Sequence, residues 1–190
     1  MRLQRVAKPF DNPDYIFELK HDGFRAIAYI EDGESGLVSR NLRQFKYVAL
    51  SNSLAKLAVK DAILDGEVVC LDDKGVSQFN RLIGRKHEPI FYAFDLLWLD
   101  GKDLRKLPLI ERKKRLEKLV KKSRCADLLF ANHVEQEGIA LFEAICARDL
   151  EGVVAKRKNG VYRNDGKEWM KIKNPTYSQA EGRHGPKWVK

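Results

Sequence analysis

Apolar and polar residues alternate with a period of two along several short stretches of this chain, the spacing of half-buried strands. Residues 15–19 are rich in strand formers, with Phe17 and Leu19 on one face and Glu18 and Lys20 on the other. Asp22-Gly23 signals a turn and residues 24–30 a return strand, so a hairpin is expected there. Residues 37–40 read as a third strand, residues 62–71 as a β-rich run closed by a turn at 72–75, and residues 90–98 as a buried strand stopping at Asp100-Gly101. By alternation Tyr92, Phe94 and Leu96 share a face. Short strands at 152–158 and 169–173 flank a region of turn residues. Helical signals are fewer. Ser51 or Ser53 can cap a short helix through Val59. Pro108 at a first helical position, then Leu109, Leu116, Leu119 and Val120, predicts an amphipathic helix whose other face carries lysines and arginines. Ile139, Phe142 and Ile145 mark another helix ending near Asp149. After Pro175 the chain is polar, and an irregular tail is expected. Antiparallel-looking strands with interspersed helices make the fold class α+β.

The 190 residues suit one domain with a full core. With 44% hydrophobic and 33% charged residues the composition is that of an ordered globular chain. No apolar run is long enough to cross a bilayer as a helix, and no N-terminal signal pattern is present, so no membrane partner is expected. Cys70, Cys125 and Cys146 are far apart with no CxxC spacing, which points to reduced thiols in a cytoplasmic protein. The four histidines lack ligand spacing, which argues against zinc. Gly160 to Lys167 is one residue too long for a phosphate loop, and Glu168 stands where Ser or Thr is needed. The net charge of +9 points to a polyanion, and nucleic acid is the commonest. Residues 105–124 hold ten basic and two acidic side chains, which read equally as a solvated helix face or a phosphate-tracking one.

Four features carry candidate chemistry. A lysine at a strand end, partly desolvated beside other cations, can lose its proton and attack an electrophile, which makes Lys20 a candidate nucleophile, although an ordinary hairpin with a solvent-facing lysine reads the same way. Arg25, a few residues on, is suited to the electrophile's phosphate. Glu67 lies within an apolar strand and needs a cation or donors there. Lys171 and Lys173 share one strand face, as neutralising a phosphate from one side requires, although a charged edge strand reads the same way.

The run Lys20-x-Asp22-Gly23-x-Arg25 resembles motif I of the covalent nucleotidyltransferases, which include ATP-dependent DNA ligases, RNA ligases and mRNA capping enzymes. Leu64 to Val69, around Glu67, is similar to motif III, and Tyr92 to Gly101, with its FDLLxLDG ending, resembles motif IIIa of DNA ligases. Glu151 to Lys156 resembles motif IV and Trp169 to Lys173 motif V, while Ser39-Arg40-Asn41 resembles a segment whose arginine contacts ribose or a DNA 5′-phosphate. Five spaced motifs in family order, over about residues 18–174, are together specific. The chain resembles the adenylylation domain of an ATP-dependent DNA ligase, of the short bacterial type lacking an OB-fold domain.

This resemblance implies a nucleotidyltransferase α+β core of antiparallel sheets flanked by helices, related to the ATP-grasp architecture, with the ATP site in the groove between sheets. It implies Lys20 as the nucleophile that forms lysyl-AMP, with Glu18, Arg25, Glu67, Phe94, Lys171 and Lys173 binding ATP. Phe94 would stack on adenine, Glu67 and Glu151 would hold Mg²⁺ or Mn²⁺, and Arg40 would engage nicked duplex DNA. AMP then passes to the 5′-phosphate and the 3′-hydroxyl seals the nick, in DNA repair or recombination. Residues 1–174 would form the catalytic domain and 175–190 a polar tail, so that a partner protein supplies the OB-fold or DNA-binding function. Its place would be the bacterial cytoplasm, at the nucleoid. His21 stands where many relatives have an aromatic, and Lys167 where they have an Arg-Ser pair. An RNA ligase or capping guanylyltransferase is the alternative enzyme, disfavoured by FDLLWLDG, and a weakly catalytic DNA-end-binding module is the alternative from another class.

Overall fold

The computed structural model describes residues 3–84, 87–163, 165 and 168–180. In chain order the elements are β1 (Gln4–Arg5), β2 (Asn12–Leu19), β3 (Phe24–Glu31), β4 (Glu34–Ser39), α1 (Val48–Leu54), β5 (Asp61–Val69), α2 (Phe79–Ile83), β6 (Ile90–Leu99), β7 (Lys102–Asp103), α3 (Leu109–Ser123), β8 (Leu128–Phe130), β9 (His133–Gln136), α4 (Gly138–Ala147), β10 (Gly152–Arg157) and β11 (Trp169–Lys173). Two sheets result, one ordered β1-β11-β10-β2-β9 and the other β4-β3-β5-β6-β7 with β8 beside β6. All neighbours are antiparallel except β1 with β11 and β6 with β8. One apolar core lies under the second sheet, against α1 and α3, and a smaller one joins the first sheet to α4.

The expected hairpin between β2 and β3 does not form. β2 pairs with β10 and β9, whereas β3 pairs with β4 and β5, so residues 20–23 carry the chain from one sheet to the other. The reason lies in β2 itself: Tyr15, Ile16 and Phe17 are all buried, as in a central strand covered on both faces rather than a half-exposed hairpin arm. Gly23 presses against β5 so closely that a Cβ would stand 2.2 Å from the Val68 carbonyl oxygen. The turn bearing Lys20 is thereby fixed against both sheets.

Other expectations shift locally. α1 begins at Val48 and ends at Leu54, so Ser51 and Ser53 lie inside it and cap nothing. Leu50 and Leu54, buried four residues apart, set that helix instead. β6 pairs Leu64 with Leu96 but Gly66 with Ala93, and the shifted register breaks the alternation at Phe94 and again at Leu97. Leu96 therefore joins Phe91 and Ala93 in the core, on the side away from Phe94. α3 starts directly after Pro108, and its basic residues are not all on a solvated face: Arg112 and Lys113 are fully buried. The expected tail is not wholly irregular: Tyr177 is buried and a 3₁₀ turn spans Ser178–Ala180, while residues 181–190 lie outside the described residues.

Candidate active site

Lys20 follows the last residue of β2, where its N–H donates to the Gly152 carbonyl oxygen at 2.8 Å. That bond ties the lysine to the start of β10, just after Glu151. Gly152 holds φ at +146°, and a Cβ there would meet the Ile172 carbonyl oxygen at 2.2 Å, so only glycine lets the chain turn so tightly against β11. The Lys20 ammonium donates to Glu151 Oε2 at 2.7 Å, and Lys173 Nζ stands 3.6 Å from Glu151 Oε1. The nucleophile candidate is thus held by a buried carboxylate between two lysines, not only among cations.

Glu67 faces Lys20 from β5, opposite Arg25 in the register. Its carboxylate has no hydrogen bond or ion pair among the described residues, yet it opens on the same cleft as Lys20. Burial pushes its pKa up to about 8, against the pull of Lys20 and Arg25. A carboxylate this reluctant to ionise, with no donor among the described residues, is a group to which a cation would be complementary. Two carboxylates suffice for Mg²⁺ or Mn²⁺, which keep waters and bind substrate phosphates. Glu67 and Glu151 fit that role, and no cluster of three His, Cys, Asp or Glu suited to a metal occurs among the described residues.

Arg25 is also held within the protein. Its fork grips Asp65 at 2.9 and 2.5 Å, and Asp65 also accepts from the Tyr162 hydroxyl at 2.8 Å. Burial disfavours the Arg25 charge, but Asp65 outweighs it and the guanidinium is pushed further up. Arg25 still lines the cleft, packed against the rings of Phe94 and Trp169. Glu18 is likewise engaged: Lys113 Nζ reaches one oxygen at 2.5 Å and Lys156 Nζ the other at 2.6 Å. Burial would raise the Glu18 pKa, and the two lysines together lower it.

A cleft of about 990 Å³ is lined by Lys20, Arg25, Arg40, Glu67 and Lys171, so five of the predicted residues converge. Burial, then Lys173 and Lys20, lowers the Lys171 pKa. Lys173 lies beside the cleft, on Glu151. A narrower pocket of about 60 Å³ opens from Lys20 between Phe94, Trp169 and Lys156. It has room for a few waters, and a purine stacked on Phe94 requires Trp169 or Lys156 to move. The Lys156 ammonium sits 4.2 Å from the Phe94 centroid and 4.0 Å from that of Trp169. Sequence reasoning missed Lys156, Trp169, Lys113 and Asp65 as site residues. The signal for Asp65 was present, since it is a second carboxylate in the same apolar strand as Glu67.

His21 stacks on Tyr92 at 3.9 Å, and burial pulls its pKa down to about 4. Asp22 accepts from the Tyr177 hydroxyl at 2.9 Å, which straps the segment after β11 across the turn. Asn174 donates to the Leu150 carbonyl oxygen at 3.0 Å, and Ser178 bonds Asp149. Lys167 lies outside the described residues.

The family model for the ATP dependent DNA ligase domain matches residues 2–173. The multifunctional non-homologous end joining protein LigD of Pseudomonas aeruginosa is 34% identical over 168 residues, covering 84% of this chain and 20% of that protein. The SPbeta prophage-derived DNA ligase-like protein LigB of Bacillus subtilis is 28% identical, covering 95% of this chain and 68% of that one. The ligase domain of Mycobacterium tuberculosis LigD superposes with a TM-score of 0.78 at 30% identity, over 90% of this chain and 58% of that one. A mycobacterial DNA ligase D complexed with ATP and MES gives 0.76 at 29%, covering 90% of this chain and 60% of that chain. The chain spans about a fifth of the length of the LigD relatives.

Proposed function

The chain belongs to the ATP dependent DNA ligase domain family, and from that premise we propose that it forms a covalent lysyl-AMP on Lys20 and uses it to seal nicked duplex DNA in repair or recombination. The observation that carries this reading is the convergence of Lys20, Arg25, Glu67, Arg40 and Lys171 on one cleft. The Lys20 amine, once deprotonated, attacks the α-phosphorus of ATP. The N–P bond forms as the bond to the bridging oxygen breaks, and pyrophosphate leaves with the electron pair. Lys171 and Lys173 offset the charge that builds on the α-phosphate oxygens, and Arg25 adds a fixed positive charge from behind its bond to Asp65. Glu18, anchored by Lys113 and Lys156, fixes the strand that delivers Lys20. Phe94 supplies a wall for the nucleobase once Trp169 or Lys156 moves aside. A divalent cation held by Glu67 and Glu151 would supply charge neutralisation of the triphosphate.

In the second half, the DNA 5′-phosphate attacks the phosphorus of lysyl-AMP and Lys20 departs as the amine. The 3′-hydroxyl then displaces AMP to close the backbone. Arg40, exposed on the cleft rim, engages the 5′-phosphate, and these contacts are to backbone rather than base edges. The test is sealing of a labelled nicked duplex with ATP and Mg²⁺ or Mn²⁺, beside Lys20→Ala and Arg40→Ala. Sealed product that needs both residues supports the reading. Joining of RNA alone, or labelling by GTP in place of ATP, would move it to the RNA ligase or capping class.

A further inference from the structure

The loop that carries Arg40 also carries an unexplained apolar residue. Leu42 is 85% exposed and holds φ at +59°, the left-handed region that a leucine rarely adopts. The loop around it is not slack. Ser39 N–H donates to the Arg43 carbonyl oxygen at 2.8 Å, Leu42 N–H to the Ser39 carbonyl oxygen at 2.9 Å, and Phe45 N–H to the Leu37 carbonyl oxygen at 2.8 Å. The Ser39 hydroxyl accepts from Arg43 N–H at 3.0 Å, and Val38 bridges to Gln44. A rigid loop therefore thrusts an apolar side chain into water at the cost of backbone strain, an arrangement found where strain serves a function. Its neighbours are cations: Arg40, Arg43 and Lys46 are all exposed, and the same loop lines the cleft that holds Lys20. An apolar tip flanked in sequence by exposed cations is complementary to a duplex groove, where phosphates flank sugar and base edges.

We propose that Leu42 is an apolar wedge that seats this loop in the minor groove beside the nick, against sugar and base edges, while Arg40 and Arg43 take the flanking phosphates. The inference rests on the nick-sealing reading and extends it. Arg40 supplies attraction, and Leu42 discriminates a nicked duplex, whose broken strand opens a base step easily, from an intact one.

The experiment compares wild type, Leu42→Gly and Leu42→Met by fluorescence anisotropy on a 5′-phosphorylated nicked duplex and on the intact duplex, with ATP labelling of Lys20 in parallel. Glycine suits the left-handed backbone, so Leu42→Gly keeps the loop and melts no lower than wild type. Its affinity for the nicked duplex is expected to fall about tenfold, the loss from exposing a buried leucine, with ATP labelling unchanged. Leu42→Met, of similar volume, is expected to bind within about twofold of wild type. Wild-type affinity in Leu42→Gly would overturn the proposal, as would an equal loss of ATP labelling. A protein dimer that Leu42→Gly dissociates would also overturn it, because the apolar tip would then serve a second copy of the chain. Leu42-dependent nick binding in a protein that ATP never labels would support the wedge and overturn the reading on which it rests.

Discussion

Replacing Arg112 by methionine separates a buried structural role for the basic helix from a surface one. Arg112 is fully buried and donates to Asp95 at 2.7 and 2.8 Å, to the Leu107 carbonyl oxygen at 2.5 Å and to the Gly160 carbonyl oxygen at 3.2 Å. One side chain thus ties α3 to β6 and to the loop after β10. Methionine fills the space of the side-chain stem but leaves a buried carboxylate and two carbonyls short of their donors. Breaking a buried pair by removing one partner costs about 3–5 kcal/mol. At about 2–4 °C per kcal/mol for a domain of this size, the melting midpoint should fall by roughly 10 °C. Lys114→Ala, on the exposed side of the same helix, should stay within about 0.5 kcal/mol of wild type. The double variant Asp95→Asn, Arg112→Met should recover part of the loss, because no charge is then left unpaired. Urea unfolding followed by tryptophan fluorescence reads all three. An Arg112→Met cost below about 1 kcal/mol would refute the reasoning.

Three further outcomes follow from the same charges. Lys113→Met should destabilise the fold by about 3 kcal/mol in urea melts, because Glu18 then keeps only Lys156. Glu67 titrates at about 8 when folded against 4.5 as an isolated group, so the unfolded chain releases this proton first. Metal-free stability should therefore decline as pH rises through that window, and Glu67→Gln should flatten the decline in melts taken across it. His21 titrates at about 4 when folded against 6.5 as an isolated group, so the unfolded chain binds the proton first. Stability should be lost as pH falls from 6.5 toward 4, and His21→Phe, which keeps the stack on Tyr92, should remove that part of the acid sensitivity.

What the sequence disclosed, and what it hid, divides along the range of the interactions. β5, β6 and β10 were legible as largely apolar runs bounded by turn residues, and β11 by the alternation of Met170 and Ile172 with Lys171 and Lys173. Partners were not, since alternation fixes a strand's faces but says nothing of which strand lies beside it. β2 reads locally as a hairpin arm, yet it pairs with β10 from the far end of the chain. Arg112 and Lys113 looked like surface because charge ordinarily seeks water, and their burial depends on Asp95 and Glu18, which come from other elements. The cleft residues Lys20, Glu67, Arg40 and Lys171 were all visible as motif positions. The occupancy of Arg25 by Asp65 and the position of Lys156 between two rings were not, because both depend on how the sheets face one another.

The central claim is a covalent nucleotide on Lys20, and intact mass spectrometry tests it most directly. The purified protein is incubated with ATP and Mg²⁺ or Mn²⁺, denatured, weighed and digested to locate the modified residue, with Lys20→Ala alongside. The account predicts one AMP adduct, carried on the peptide containing Lys20, stable to denaturation and lost in the variant. An adduct that survives in Lys20→Ala, or none in the wild type while ATP binds, would contradict it.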